Sequence, residues 1–208
     1  VMKGDRASNL ASLEKRARRV HEVTLELLRK THELVCSEDV EEREKLIKDV
    51  EDGVALLDVL KRDVTEALLA YAVRYQPLGN DFRRVHALLD VLYDMFRIGR
   101  YCREIALTDK YVSRLSDESL KDLRKLTELS IRAYEKAFEA FFEGCRECVD
   151  VVKEIDEKVD KLYVDFLKEI GSMRVVESKI VAKTLALRHI ERIVDHSVSI
   201  AMGFSSYV

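Results

Sequence analysis

One proline, Pro77, in 208 residues is the strongest constraint on how this chain can fold. Proline and glycine end regular elements, and only seven glycines join it. A β-sandwich or barrel needs turn residues roughly every 8–12 positions, which this sequence does not supply. Long helices are what remains. Capping residues and breakers divide the chain into six helical segments, about 8–35, 41–75, 80–108, 116–142, 146–170 and 174 onward. The Ser37-Glu-Asp stretch and Asn80 or Asp81 are the expected caps, and "YQPLGND" (Tyr75–Asp81) is the turn that holds the proline. Segments of this length with heptad-like apolar rows pack as antiparallel bundles at shallow angles. The expected fold class is therefore all-α.

Hydrophobic residues make up 47% of the chain, enough for a sizeable core. The 36 Lys and Arg are balanced by 39 Asp and Glu, for a net charge of −3, which gives no electrostatic case for direct nucleic-acid binding. No apolar run approaches the ~18 residues of a membrane span. The chain starts at Val1, which leaves room for a preceding domain. Among four cysteines, Cys145 and Cys148 form a CxxC, a spacing shared by redox pairs and half zinc sites. With no second CxxC, no nearby histidine and a helical context, all four read as packed thiols of a protein in the reducing cytosol.

The third helix repeats in the sixth. A shift of 95 residues lays "LYDMFRIGRYCREIA" (Leu92–Ala106) over "LRHIERIVDHSVSIA" (Leu187–Ala201), with five of fifteen positions identical, among them the R-I dipeptide. Six helices with such a repeat imply two tandem three-helix bundles, residues 1–110 and 111–208.

One carboxylate breaks a seam. Along the sixth helix, Ile180, Thr184, Leu187, Val194, Val198 and Ala201 form an apolar row whose missing member is Glu191, with Asp195 one turn on. On the fifth helix, Asp156 and Asp160 lie beside a seam of Val152, Ile155, Val159, Leu162 and Phe166, also one turn apart. Side by side, the two helices gather four carboxylates, whose repulsion calls for protons, Arg or Lys partners, or cations. Hard oxygen donors suit Mg, Ca, Mn and Fe, with Zn also open. The competing reading has the four solvated or paired with Lys153, Arg188 and Arg192. His196, beside Asp195, is a candidate accessory ligand or a packing residue. No histidine has Glu three residues before it, which counts against the Glu-x-x-His oxidases. No phosphate-cradling glycine loop, G-x-S-x-G or H-E-x-x-H occurs.

"YQPLGNDFRRV" resembles the RQP-x-x-x-DLR junction of the PhoU family. "DMFRIGRYCREIA" and "LRHIERIVDHSVSIA" resemble its LERIGD-x-x-x-x-IA helix, found once in each of two repeats. The resemblance implies a six-helix, two-repeat regulator of phosphate uptake, non-enzymatic, cytoplasmic and often dimeric. Its implied partners are phosphate-transporter subunits and a sensor kinase at the cytoplasmic membrane face. It also implies a multinuclear metal cluster (Fe, Zn, Mn or Mg) on paired E/D-x-x-x-D motifs. In the second repeat the matching positions are Asp156, Asp160, Glu191 and Asp195, all intact. In the first they are Val54, Asp58, Phe96 and Arg100, of which only Asp58 keeps a carboxylate. A single cluster in the second repeat is therefore expected, with Phe96 closing the other seam and Arg100 pairing with Asp58. Two other functions fit the same residues: regulation of another transport system, such as a cation channel or low-affinity permease, and metal-dependent hydrolysis.

Overall fold

The computed structural model describes the backbone of residues 2–207 and the side chains of 7–203. Val1 lies outside the described residues. Six helices follow one another: α1 (Met2–Cys36), α2 (Val40–Tyr75), α3 (Asn80–Tyr111), α4 (Asp122–Glu143), α5 (Arg146–Gly171) and α6 (Ser178–Tyr207). A 3₁₀ turn (Glu118–Leu120) precedes α4. No strand occurs among the described residues.

The chain's few breakers act where expected, with changes in detail. Asp39 caps α2, its Oδ1 accepting from the Glu42 N–H at 2.8 Å. Gln76, just before Pro77, ends α2 in the left-handed region with φ 44°. Neither Asn80 nor Asp81 caps α3. Gly79 takes that place with φ 62°, so both side chains fall inside the first turn. α3 runs on to Tyr111, past Thr108, and α6 starts at Ser178, four residues after Arg174.

Helices α1, α2 and α3 pack on one another, as do α4, α5 and α6. The two bundles join through α3 against α6 and α1 against α4. One apolar core runs through both and takes residues from every helix, including Leu27, Leu57, Ile98, Tyr134, Val152 and Ile193. Gly99 lets α1, α2 and α3 approach closely: a Cβ there would overlap Leu57 Cδ2 and lie 3.2 Å from Leu27 Cδ1.

The α3–α6 contact explains the repeated sequence. Asp94 meets His196, and Tyr101 stacks on His189. The indices rise on one helix as they fall on the other, so the helices are antiparallel. The 95-residue shift maps each pair onto the other, as a pseudo-twofold axis requires. That axis passes midway between the pairs, at the shared R-I dipeptides, where Ile98 and Ile193 are fully buried. Arg97 reinforces the contact by donating to Tyr101 Oη at 2.6 Å.

Two expectations are corrected. Leu162 does not extend the α5 seam: it is 49% exposed and lines an open groove of about 400 Å³ with Leu126, Leu129 and Phe166. Cys145 and Cys148 are not packed thiols but a disulfide. Gly144 ends α4 in the left-handed region (φ 75°), and the Cys145 N–H returns to the Glu139 carbonyl at 3.2 Å. That reversal places Cys145 at the N-cap of α5, one turn from Cys148.

Candidate metal centre

The carboxylates sit where α5 and α6 run side by side. Asp156, Asp160 and Asp195 each bring a carboxylate oxygen within 4.8 Å of the other two. The first pair comes from one face of α5, four residues apart, and the third from α6. Val152, Ile155 and Val159 on α5, and Ile190, Ile193 and Val194 on α6, are buried beneath them and fix the register.

The charge is only partly compensated. Arg192 donates to Asp195 Oδ2 at 2.8 Å. Asp156 Oδ1 is buried with no hydrogen-bond partner among the described residues. Desolvation first, then Asp160 and Asp195, push the Asp156 carboxyl up to about 6. Near neutral pH this arrangement favours a positive ligand: an acceptor atom shielded from water faces two more carboxylates. The oxygen-only donor set suits a hard cation, so the residues present fit a metal site.

Glu191 occupies its seam position as a buried residue, 8% exposed. It stands outside the three-carboxylate group, because Arg188 donates to its Oε2 at 2.6 Å and Arg192 Nε lies 3.8 Å away. Burial first, then the neighbouring Asp195, hold its carboxyl above the usual carboxylate range, against the opposing pull of the two arginines. The ion pairs expected of a solvated patch thus form at Glu191 and Asp195, and not at Asp156. His196 is engaged elsewhere, its Nδ1 2.8 Å from Asp94 Oδ1 on α3.

The matching positions of the first repeat are built differently. Val54 is in the core. Phe96 packs half-buried against that core, with Lys61 Nζ 5.6 Å from the ring centroid. Asp58 pairs with Arg62 at 2.6 Å, and Arg100 lies 4.0 Å from Glu104. The expected Asp58–Arg100 pair is therefore corrected. Each group finds its partner one turn along its own helix, a cheaper arrangement than reaching across to another helix.

The family model for the PhoU domain matches this chain twice, at residues 17–108 and 123–203. The chain belongs to the PhoU family. The two matches coincide with the α1–α3 and α4–α6 bundles. A phosphate-specific transport system accessory protein PhoU homolog 1 of Methanothermobacter thermautotrophicus is 25% identical, over 92% of this chain and 89% of that protein. The protein of the same description from Thermotoga maritima is 26% identical, over 74% of this chain and 69% of its own length. The crystal structure of PhoU from Pseudomonas aeruginosa superposes with a TM-score of 0.81 at 19% identity, covering 95% of this chain and 96% of that one. That likeness extends the PhoU fold to nearly the whole chain.

Sequence reasoning missed two arrangements around this centre. One is the Asp94–His196 pair, for which the repeat held the signal, since Asp94 aligns with His189 and Tyr101 with His196. The other is the disulfide at the start of α5, which depends on the left-handed turn at Gly144.

Proposed function

We propose that this protein is a non-enzymatic accessory regulator of phosphate transport, with one multinuclear cation site in its second repeat. The regulatory role rests on family membership and on the relatives described as phosphate-specific transport system accessory proteins. The site rests on a single observation, the buried and unpartnered Asp156 Oδ1 facing Asp160 and Asp195. These three carboxylates would hold the metal (Fe, Zn, Mn or Mg), with Glu191 able to join on release from Arg188. The bound cations would neutralise the cluster and tie α5 to α6. No helix among the described residues is long and apolar enough to cross a membrane. The proposed setting, which the family resemblance implies, is the cytoplasmic face of the membrane, as a homodimer beside transporter subunits or a sensor kinase.

Two measurements test this reading. Metal analysis and calorimetric titration with Mn²⁺, Zn²⁺ and Mg²⁺ should find saturable uptake that Asp156→Asn and Asp195→Asn abolish. Affinity purification from cells limited for phosphate should recover phosphate-transporter subunits or the kinase. Recovery of a cation channel or low-affinity permease in their place would move the regulatory role to that system.

A further inference from the structure

The CxxC at the start of α5 is a built site that the metal centre does not use. Its sulfurs are unequal. Cys145 is the N-cap residue and partly exposed, flanked by exposed Glu143, Gly144 and Glu147. Cys148 is 4% exposed, one turn into the helix. The first turn of α5 presents its unpaired N–H groups to a sulfur at the N-cap, which favours a thiolate there. A carboxylate serves the other sulfur: Glu139 Oε2 lies 3.3 Å from Cys148 Sγ. Glu139 is itself held on two sides, by Lys136 at 2.6 Å from that oxygen and by its carbonyl's bond to the Cys145 N–H.

We propose that Cys145 and Cys148 form a thiol–disulfide exchange site for low-molecular-weight thiols and disulfides, with Cys145 the exchanging sulfur and Cys148 the resolving one. In the oxidising direction the Cys145 thiolate attacks one sulfur of a small disulfide. One small thiolate leaves and a mixed disulfide forms. Cys148 then gives its proton to Glu139 and attacks Cys145 Sγ, expelling the second small thiolate. The protein dithiol loses two electrons, and the small disulfide becomes two thiols. Reduction runs the same steps backwards.

A purely structural role explains this bridge poorly. It closes a loop of only four residues, and a bridge across so short a loop removes far less entropy from the unfolded chain than one spanning a hundred residues. The other two cysteines lack these features. Burial pushes the Cys102 thiol up to about 12 and also raises Cys36. Cys148 stands two turns before Asp156 on the same helix, about 12 Å along its axis. Exchange would therefore switch the covalent state of the α4–α5 junction on the helix that carries two of the site carboxylates.

The test is equilibration of the full chain in glutathione buffers of varied oxidation, followed by alkylation and mass spectrometry. The result expected is a reversible two-electron transition confined to Cys145 and Cys148. Cys148→Ser should trap glutathione on Cys145. Cys145→Ser should leave Cys148 at least about tenfold slower to react, and Glu139→Gln should slow ring closure by about tenfold or more at unchanged helicity and melting temperature. A pair that stays reduced in excess oxidised glutathione would overturn the proposal. So would equal reactivity of the two sulfurs, or closure at the normal rate in Glu139→Gln. Stoichiometric Zn²⁺ uptake by the reduced protein that blocks oxidation would make the site a metal clamp, and would overturn it as well.

Discussion

Asp94 on α3 and His196 on α6 meet at 2.8 Å, and the 95-residue repeat maps them onto His189 and Tyr101, whose rings stack with centroids 5.8 Å apart. One pseudo-symmetric position thus carries a polar pair, and its mate carries an aromatic one. The Asp94 carboxylate accepts, so His196 Nδ1 donates. Both side chains are largely shielded, at 18% and 12% exposed. Removing one leaves the other short of a partner at the joint between the bundles. His196→Ala and Asp94→Ala should each cost about 1–3 kcal/mol in urea unfolding. Neither should change metal uptake at Asp156, because His196 faces the joint. A large loss of metal affinity in His196→Ala would restore it as a ligand.

Gly99 and Val194 occupy the same repeat position with opposite demands. Gly99 faces Leu57 and Leu27 with no room for a methyl group. Val194 is fully buried and fills its own seam. Gly99→Ala should therefore destabilise by about 1–3 kcal/mol through overpacking. Val194→Ala should cost a similar amount, about 1–3 kcal/mol, by leaving a cavity. Denaturation midpoints of the two variants check both signs. A stabilised Gly99→Ala would mean that Leu57 repacks without cost.

Helical periodicity made most of the fold legible, because a seam residue declares itself within its own helix. Glu191 is the clearest example: spacing alone placed it in the core row, and it is buried there. Leu162 shows the limit. Its spacing matches the seam, yet burial depends on what α4 presents opposite, and there Leu126 and Leu129 line an open groove. Asp156 and Asp160 were legible as a pair, but not that an oxygen of Asp156 would be buried without a hydrogen-bond partner while Asp160 stays exposed. That depends on the reach of Arg188 and Arg192, which take Glu191 and Asp195. The disulfide was hidden for a different reason: the break between α4 and α5 was legible, but not the left-handed turn at Gly144 that sets Cys145 at the N-cap of α5, one turn from Cys148.

His21 should make the protein acid-sensitive. Its ring stacks on Phe138 with centroids 3.6 Å apart, its Nδ1 lies 3.1 Å from Tyr134 Oη, and burial lowers its pKa to about 4, helped by Arg18 and Arg29. An unfolded histidine titrates near 6.5. Between those values the unfolded chain takes a proton that the folded chain refuses, so this contribution is complete above about pH 6.5 and is lost as pH falls towards 4. The slope should approach about 1.4 kcal/mol per pH unit in that window. Comparison with His21→Phe isolates it from carboxylates titrating nearby: the variant's stability should fall less steeply on acidification. Parallel profiles for the two proteins would show that His21 is not the group responsible.

The two repeats should respond differently to metal. In the second, binding at the Asp156 cluster relieves repulsion present only in the folded state, so a cation at a hundred times its dissociation constant should add about 2.7 kcal/mol. For a chain of this size that is a rise in melting temperature of roughly 5–10 °C. Asp156→Asn should remove the rise. In the first repeat, Val54 and Phe96 offer no donor, Arg100 brings a positive charge, and Asp58 is already paired with Arg62. Asp58→Asn should therefore leave both the metal-dependent rise and the stoichiometry unchanged. A lower stoichiometry in Asp58→Asn, or anomalous scattering between Asp58 and Arg100, would mean that the first repeat binds metal despite its missing donors.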